Sequence, residues 1–409
     1  MTPAPRSDFD VAAAVLYALP WISGGCCSAR LVRSTTHDGG PKDPTDLSEA
    51  SIGSTLMSPE ASVHLRSRSD SLNDVRAVIP DSCYERSTSR VLWALVQAVV
   101  LYLAPLVGLA LTDRWWALLV LWPLAGLGGA GLFVLGHDAS HGALVDSRRL
   151  NRVIARVCMA PSAHVEAAWD LGHNRIHHGY TTRQGFDFVW HPFTPDEYRA
   201  LGRFARLRHR VEWSWFGAGA YFLRVVWWEK MWRFNAPGKR HGAIVRDKIT
   251  LASVIALVVA ATSILNGFSG GWIAAVWVPV KLFVVPFLLF VQIIGWTVYV
   301  HHVSTDIRWW TRRQWTQFKG QMESTTILRT PCVVNHLWLH NIFIHVPHHV
   351  DTRIRFDQLP RAAAAITAAY PQTVRSSRLS IAEYVRTTRA CKLYDFEGGH
   401  WLPYKTART

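Results

Sequence analysis

Four stretches of this chain are too long and too apolar to belong to a water-soluble fold. Val91–Leu111 and Trp115–Leu135 each run about 21 residues without a charge, close to the roughly 20 residues an α-helix needs to cross hydrocarbon. Thr112–Arg114 between them leaves room only for a tight turn, so the two form a helical hairpin. A second pair, about 249–265 and 282–300, repeats the pattern. Its connector, 266–280, carries Gly267, Gly270 and Gly271, and Lys281 stands at the border of the last run, where its stem can snorkel to the interface. The expected fold class is all-α: a multi-pass membrane protein with four transmembrane helices in two hairpins, carrying a cytoplasmic histidine-rich helical cap.

Charge distribution sets the orientation. The stretch 136–248 is crowded with arginine, including Arg148, Arg149, Arg152, Arg156, Arg203, Arg206, Arg208 and Arg210, and so is the chain beyond His301, while the hairpin tips are nearly uncharged. The positive-inside bias then places both termini and every histidine cluster in the cytoplasm. The formal charge of +15 follows from the same residues; because they flank apolar runs rather than forming a basic domain, nucleic acid is not the expected partner, and membrane lipid is. The 20 tryptophans fit membrane–water interfaces. Trp213–Trp228, aromatic but too broken to span, reads as an interfacial helix. The six cysteines form no CxxC pair, and neither a disulfide framework nor a zinc ribbon is suggested.

Three regions result: a poorly ordered extension over 1–73, a membrane domain over 74–360, and a cytoplasmic tail over 361–409. The apolar stretch 11–28 has the length of a signal peptide, whose cleavage would invert the topology; an extension, or a misassigned start, is the reading adopted.

Eight of the 19 histidines fall in three clusters. His137 and His141 lie in HDASH, directly after the second span. His173, His177 and His178 lie in HNRIHH, and His345, His348 and His349 in HVPHH, with His340 just before. His301 and His302 end the fourth span. Residues at i, i+3 and i+4 of a helix share a face, so each cluster can present two or three imidazoles to one cavity. A single HxxxH is most often an ordinary surface pair; three such clusters on one side of a membrane are not. Eight or nine imidazoles exceed what a four-coordinate zinc takes and suit two iron ions with positions left for oxygen. None of these clusters contains a Glu-x-x-His pair, which disfavours a carboxylate-bridged bundle. His64, His164, His191, His209, His241, His336 and His400 lack the pattern and read as ordinary residues.

HDASHG, HNRIHHGYT and HNIFIHVPHHVD resemble the three histidine boxes of the integral membrane fatty acid desaturase superfamily, with the acyl-lipid Δ12-type enzymes of bacteria and plastids most alike. DVRAVIPDSCYERS (74–87) and DFVWHPFT (187–194) resemble segments that those enzymes carry before the first span and after the second box. The likeness runs from about residue 74 to about 360. It implies a non-haem di-iron centre held by His137, His141, His173, His177, His178, His345, His348 and His349, with a ninth ligand from VYVHHVS, His302 ahead of His301. Two departures stand out: the second box is HxxxHH rather than the commoner HxxHH, and the first 70 residues match nothing in the superfamily.

The reaction implied is O2-dependent desaturation of an acyl chain on a lipid, CoA or acyl carrier protein, at a bacterial inner membrane. Breaking an unactivated C–H bond belongs to the metal, not to a side-chain acid or base. Asp138, Asn174, Asp187, Asn341 and Asp351 stand near ligands and are candidates to orient imidazole N–H groups. Arg148 and Arg149 read as positive-inside residues, with an anionic headgroup or carrier as the alternative. The two electrons must come from an external donor such as a ferredoxin. GLGGAG (126–131) satisfies a dinucleotide pattern but lies inside the second span, where small residues favour close helix packing. Acetylenase, hydroxylase and ketolase chemistry share the same boxes. A membrane metal transporter or a zinc hydrolase fits less well, since the spans hold few polar ligands and the histidines are too many.

Overall fold

The computed structural model describes residues 71–407; nearly all of the extension assigned to 1–73, including the stretch 11–28, lies outside the described residues. The described chain is mostly helical. Three helical runs are long and apolar enough to cross a membrane: Thr88–Leu111 (α1), Trp115–Ser140 (α2) and the run Gly238–His302. Between the second and third, Arg148–Met159 forms an Arg-rich helix, α3. The third run comprises His241–Pro279 (α4) and Val285–His302 (α5), joined by a wide helical turn at Val280–Val284. A short helix at His345–Val350, α6, carries the third histidine cluster.

Helix α2 is the pillar of the molecule because its glycines let neighbours approach its backbone. A Cβ on Gly128 would sit 2.6 Å from the Leu101 carbonyl of α1, and one on Gly126 would sit 2.8 Å from Leu289 Cβ of α5. The C-terminal half of α2 is thereby buried almost continuously from Gly128 to Ala139, whereas α1 exposes Leu92, Trp93, Val100 and Leu111. An exposed apolar face of this kind belongs against lipid.

The run Gly238–His302 is not one straight rod. Gly271 has φ 70° and ψ −169°, a conformation essentially confined to glycine. Cβ positions on Gly270 and Gly267 lie 2.6 Å and 3.2 Å from the Cβ atoms of Ala274 and Ala275, distances reached only where the chain doubles back. Most of 266–280 is therefore helical, and the reversal takes a single residue where the sequence suggested a long connector. Lys281 does not snorkel either. It is 2% exposed because its ammonium has a partner at hand: Nζ donates to Asp113 Oδ1 at 2.7 Å and to the Thr112 carbonyl at 3.2 Å. Trp277 Nε1 donates to the same carboxylate, and Trp122 Nε1 to the Lys281 carbonyl. These bonds tie the α1–α2 turn to the start of α5.

Two further segments depart from the sequence reading. Of the stretch 213–228, expected at the interface, the helical part Ala218–Tyr221 and the wider helix Phe222–Trp232 pack on α5 and bury Phe222, Val225 and Val226. Gly219 and Gly295 make this possible, since a Cβ on Gly295 would collide with the Ala218 carbonyl. Residues 361–407, read from the sequence only as a cytoplasmic tail, carry helices and strands of their own. Ser376–Arg378 pairs in parallel with Ile327–Arg329, and the hairpin Leu393–Asp395 with His400–Leu402 joins a core of Trp190, Trp213, Tyr221, Tyr299 and Trp309.

Gly295→Leu is expected to destabilise the fold by about 3 kcal/mol or more, because the clash is with backbone. Gly202→Leu, with open space around its Cβ position, is expected to leave it unchanged. Thermal unfolding followed by size-exclusion chromatography checks both.

Candidate metal centre

Four short elements deliver the histidines to one place. The last turn of α2 supplies His137, and its C-cap supplies His141. The segment Asp170–His177 is a π-helix, and its cap His178 donates its backbone N–H to the His173 carbonyl five residues back, at 3.0 Å. With about 4.4 residues per turn, a π-helix brings i, i+4 and i+5 to one face. His173, His177 and His178 are spaced in that way, which explains how an HxxxHH box turns all three rings inward. α6 supplies His345, His348 and His349, and the end of α5 supplies His301 and His302.

The rings sort into two sets. Nitrogens of His137, His141, His173, His178 and His348 all lie within 4.8 Å of one another, and those of His177, His302 and His349 form a second such group. Adjacent residues split between sets: His177 and His178 face different groups, as do His348 and His349. His345 packs beside the second group, its ring 4.7 Å from that of His349 and 5.2 Å from that of His302.

The donor set fits metal ions. His137 Nε2 faces His173 Nε2 at 2.9 Å, and His178 Nε2 faces His173 Nε2 at 3.1 Å. Imidazole–metal bonds of about 2.1 Å put neighbouring ligand nitrogens roughly 3 Å apart. The Nε2 atoms of His141, His348 and His349 are buried and have no hydrogen-bond partner, a costly state for a polar atom unless a cation takes the lone pair. Burial, and then the neighbouring rings, hold His178, His345 and His349 well below the ordinary imidazole range. 

Beside the His178 ring the largest neighbouring contributions come from His349 and His141, and His348 is lowered to about 3. Neutral rings are the form that binds metal.

Hydrogen bonds on the far side of the rings fix which nitrogen is free. His302 Nδ1 donates to the Ser324 carbonyl at 3.1 Å; a carbonyl only accepts, so the proton sits on Nδ1 and Nε2 keeps its lone pair. His349 Nδ1 donates in the same way to Gln321 Oε1 at 2.9 Å. His177 Nδ1 donates to Asp187 at 3.0 Å and His137 Nδ1 to Asp138 at 2.9 Å. Asp187 is itself held by the Thr182 and Val189 amides. His301 stacks on His345 with centroids 4.0 Å apart and lies outside both nitrogen groups.

Of the five residues singled out as orienting groups, Asp138 and Asp187 touch imidazoles and three do not. Asn174 donates to the Ser140 carbonyl and so fastens the second cluster to the end of α2. Asn341 donates to the Phe356 carbonyl and accepts from Asn335. Asp351 is taken by Arg353, Arg76 and Tyr84. In each case a backbone carbonyl or a guanidinium is the partner. Sequence reasoning missed Gln321 and Ser324, which lie in no motif and arrive on a short π-helix, Lys319–Glu323, and its C-cap, between α5 and α6. It also missed Trp169, stacked on His173 at 4.4 Å.

An apolar channel runs to the cluster between α2, α5 and the 218–232 segment. Phe133, Trp169, Phe222, Val226, Ile294 and Ile342 line it, His137, His173, His177, His302 and His345 close its inner end, and Lys230 is the one cation on its wall. Lys230 is exposed and lies over the Phe188 ring at 5.8 Å. A methylene chain fits such a wall; a charged substrate does not.

Comparison with known proteins agrees with this chemistry. The pattern of the family described as "Fatty acid desaturase" matches residues 114–378. The sn-1 oleoyl-lipid 12-desaturase of Picosynechococcus sp. is 27% identical over 333 residues, covering 80% of this chain and 90% of that protein. The enzyme of the same name from Anabaena variabilis is 25% identical over 348 residues, 82% of this chain and 92% of the relative. The chloroplastic omega-6 fatty acid desaturase of Glycine max is 24% identical over 330 residues, 80% and 74% of the two chains. With its histidine groups, its apolar channel and a family match over most of its length, this oxidoreductase belongs to the fatty acid desaturase family and is a membrane fatty acyl desaturase.

Proposed function

We propose that the chain is a di-iron, O2-dependent acyl-lipid desaturase that places a double bond at position 12 of an oleoyl chain on a membrane glycerolipid. The observation that carries this reading is the meeting of an apolar pocket with two groups of converging imidazoles; the names of the cyanobacterial relatives point to the lipid carrier and the position. His137, His141, His173, His178 and His348 would hold one iron, and His177, His302, His345 and His349 the other. The reversal at Gly271 supports four spans in two hairpins, with the arginine-rich histidine end in the cytoplasm of a bacterial inner membrane. The domain reading is an extension over 1–73, a membrane domain over 74–360 and a cytoplasmic tail over 361–409; the family match over 114–378 supports the middle region.

Bound iron would supply the oxygen chemistry able to break an alkyl C–H bond. The remaining work belongs to the chain. Phe133, Phe222 and Ile294 exclude water and hold the methylenes straight, and Trp169 sets a flat apolar wall against His173. Asp138, Asp187, Gln321 and the Ser324 carbonyl hold the Nδ1 protons of four rings and so keep their Nε2 atoms on target. Each turnover removes two hydrogens from adjacent carbons and, with O2, two further electrons and two protons, yields two waters and one double bond. The two electrons come from an external carrier such as a ferredoxin.

Fatty-acid analysis by gas chromatography–mass spectrometry tests the activity in a bacterial host supplied with oleate and a co-expressed ferredoxin. A dienoic C18 acid is expected with the wild type and none with His348→Ala. Hydroxy or alkynyl acids would overturn the desaturase reading in favour of a related oxygenase. Metal analysis of purified protein tests the ligands: His302→Ala is expected to lose iron while His301→Ala keeps near the wild-type content. Asp187→Ala should weaken iron retention against a chelator about 10- to 100-fold.

A further inference from the structure

A second opening reaches the histidines, and its chemistry is the opposite of the channel's. It is a cleft of about 830 Å³ bounded by the end of α2, α3, the stretch 166–175 and the start of α4. Of its 19 lining residues, eight are Arg or Lys and three are Asp or Glu. The three acids are already engaged. Glu166 pairs with Arg156 at 3.5 Å, Asp170 with Arg240 at 2.9 Å and Asp146 with Arg86 at 4.0 Å. Arg148 and Lys239 form no ion pair among the described residues, and Arg152 meets Glu166 only at longer range. Unbalanced positive charge therefore faces outward from this cleft. Its floor is the end of α2 with His141, an imidazole that the channel does not reach, and cleft and channel share no lining residue.

We propose that this cleft is the docking site of an acidic one-electron carrier protein, and that electrons enter the metal centre past His141. The inference rests on the di-iron desaturase reading, which requires two electrons per turnover; two carrier molecules are each oxidised by one electron, and O2 with the two substrate hydrogens and two protons ends as two waters. Charge complementarity selects the occupant. A lipid substrate is disfavoured because its acyl chain would find no apolar continuation there, the apolar route to the centre being lined by other residues. A small free anion would occupy little of an opening this wide, whereas an acidic protein surface can meet Arg148, Arg152 and Lys239 together. Steering by such a patch raises association rates and is lost in salt.

The test uses the full chain in phosphatidylcholine nanodiscs and measures binding of an acidic plant-type [2Fe–2S] ferredoxin by biolayer interferometry. The wild type is expected to bind at low ionic strength and to weaken about tenfold or more in high salt. The triple variant Arg148→Glu, Arg152→Glu, Lys239→Glu is expected to lose about tenfold or more in affinity. The control Arg203→Glu with Arg389→Glu, both exposed and outside the cleft, should stay within about twofold. Equal losses in both variants, or none in the triple variant, would overturn the proposal. So would a triple variant that binds ferredoxin normally but loses association with spin-labelled phosphatidylglycerol, which would make the cleft a headgroup site. Single-turnover product formation with dithionite as reductant bypasses docking; the triple variant should retain it, and its absence in the wild type would count against the desaturase reading instead.

Discussion

Eight imidazoles converge with their lone pairs turned toward one another in a dry interior, and that arrangement is unfavourable until cations stand between them. Much else in the fold serves this convergence. The glycines of α2 bring α1 and α5 close enough for His137 and His302 to share a cavity. Asn174 clips the second cluster to the end of α2, and Gln321 bonds both the His178 carbonyl and the His349 ring, so the second and third clusters hold each other.

Much of this was legible in the residues. Uncharged runs of bilayer length announce spans because hydrocarbon leaves a chain few alternatives, and histidines spaced for one helix face announce a metal. The resemblance puts His302 ahead of His301; His302 lies in the second nitrogen group with its Nδ1 on the Ser324 carbonyl, and His301 lies outside both groups. What the residues could not announce depends on contacts between distant segments. Gln321 and Ser324 are ordinary until the segment carrying them folds over the rings. Asn174, Asn341 and Asp351 looked like ring partners because they are near in sequence, but backbone carbonyls and guanidinium groups claim them. The stretch 213–228 reads as interfacial because it is aromatic; only Gly219 meeting Gln292 and Gly295 meeting Ala218 turn it inward.

The two ends of the bundle are held by different physics. At the histidine end, ring packing and hydrogen bonds set the geometry. At the other, the buried Lys281 ammonium and the exposed Asp113 carboxylate tie the α1–α2 turn to the start of α5 through one ion pair supported by Trp122 and Trp277.

The π-helix at Asp170–His177 has a consequence for how such a site can vary over time. A π turn is what remains when one residue is inserted into an α-helix and the extra residue is absorbed locally. Boxes written HxxHH and HxxxHH are then two spellings of one face: the first uses α-helical turns, the second adds a residue and widens the turn, and the imidazoles stay in place. Sequence length at a metal site can drift by a residue without moving a ligand, provided the backbone has a second helical register available to take up the difference.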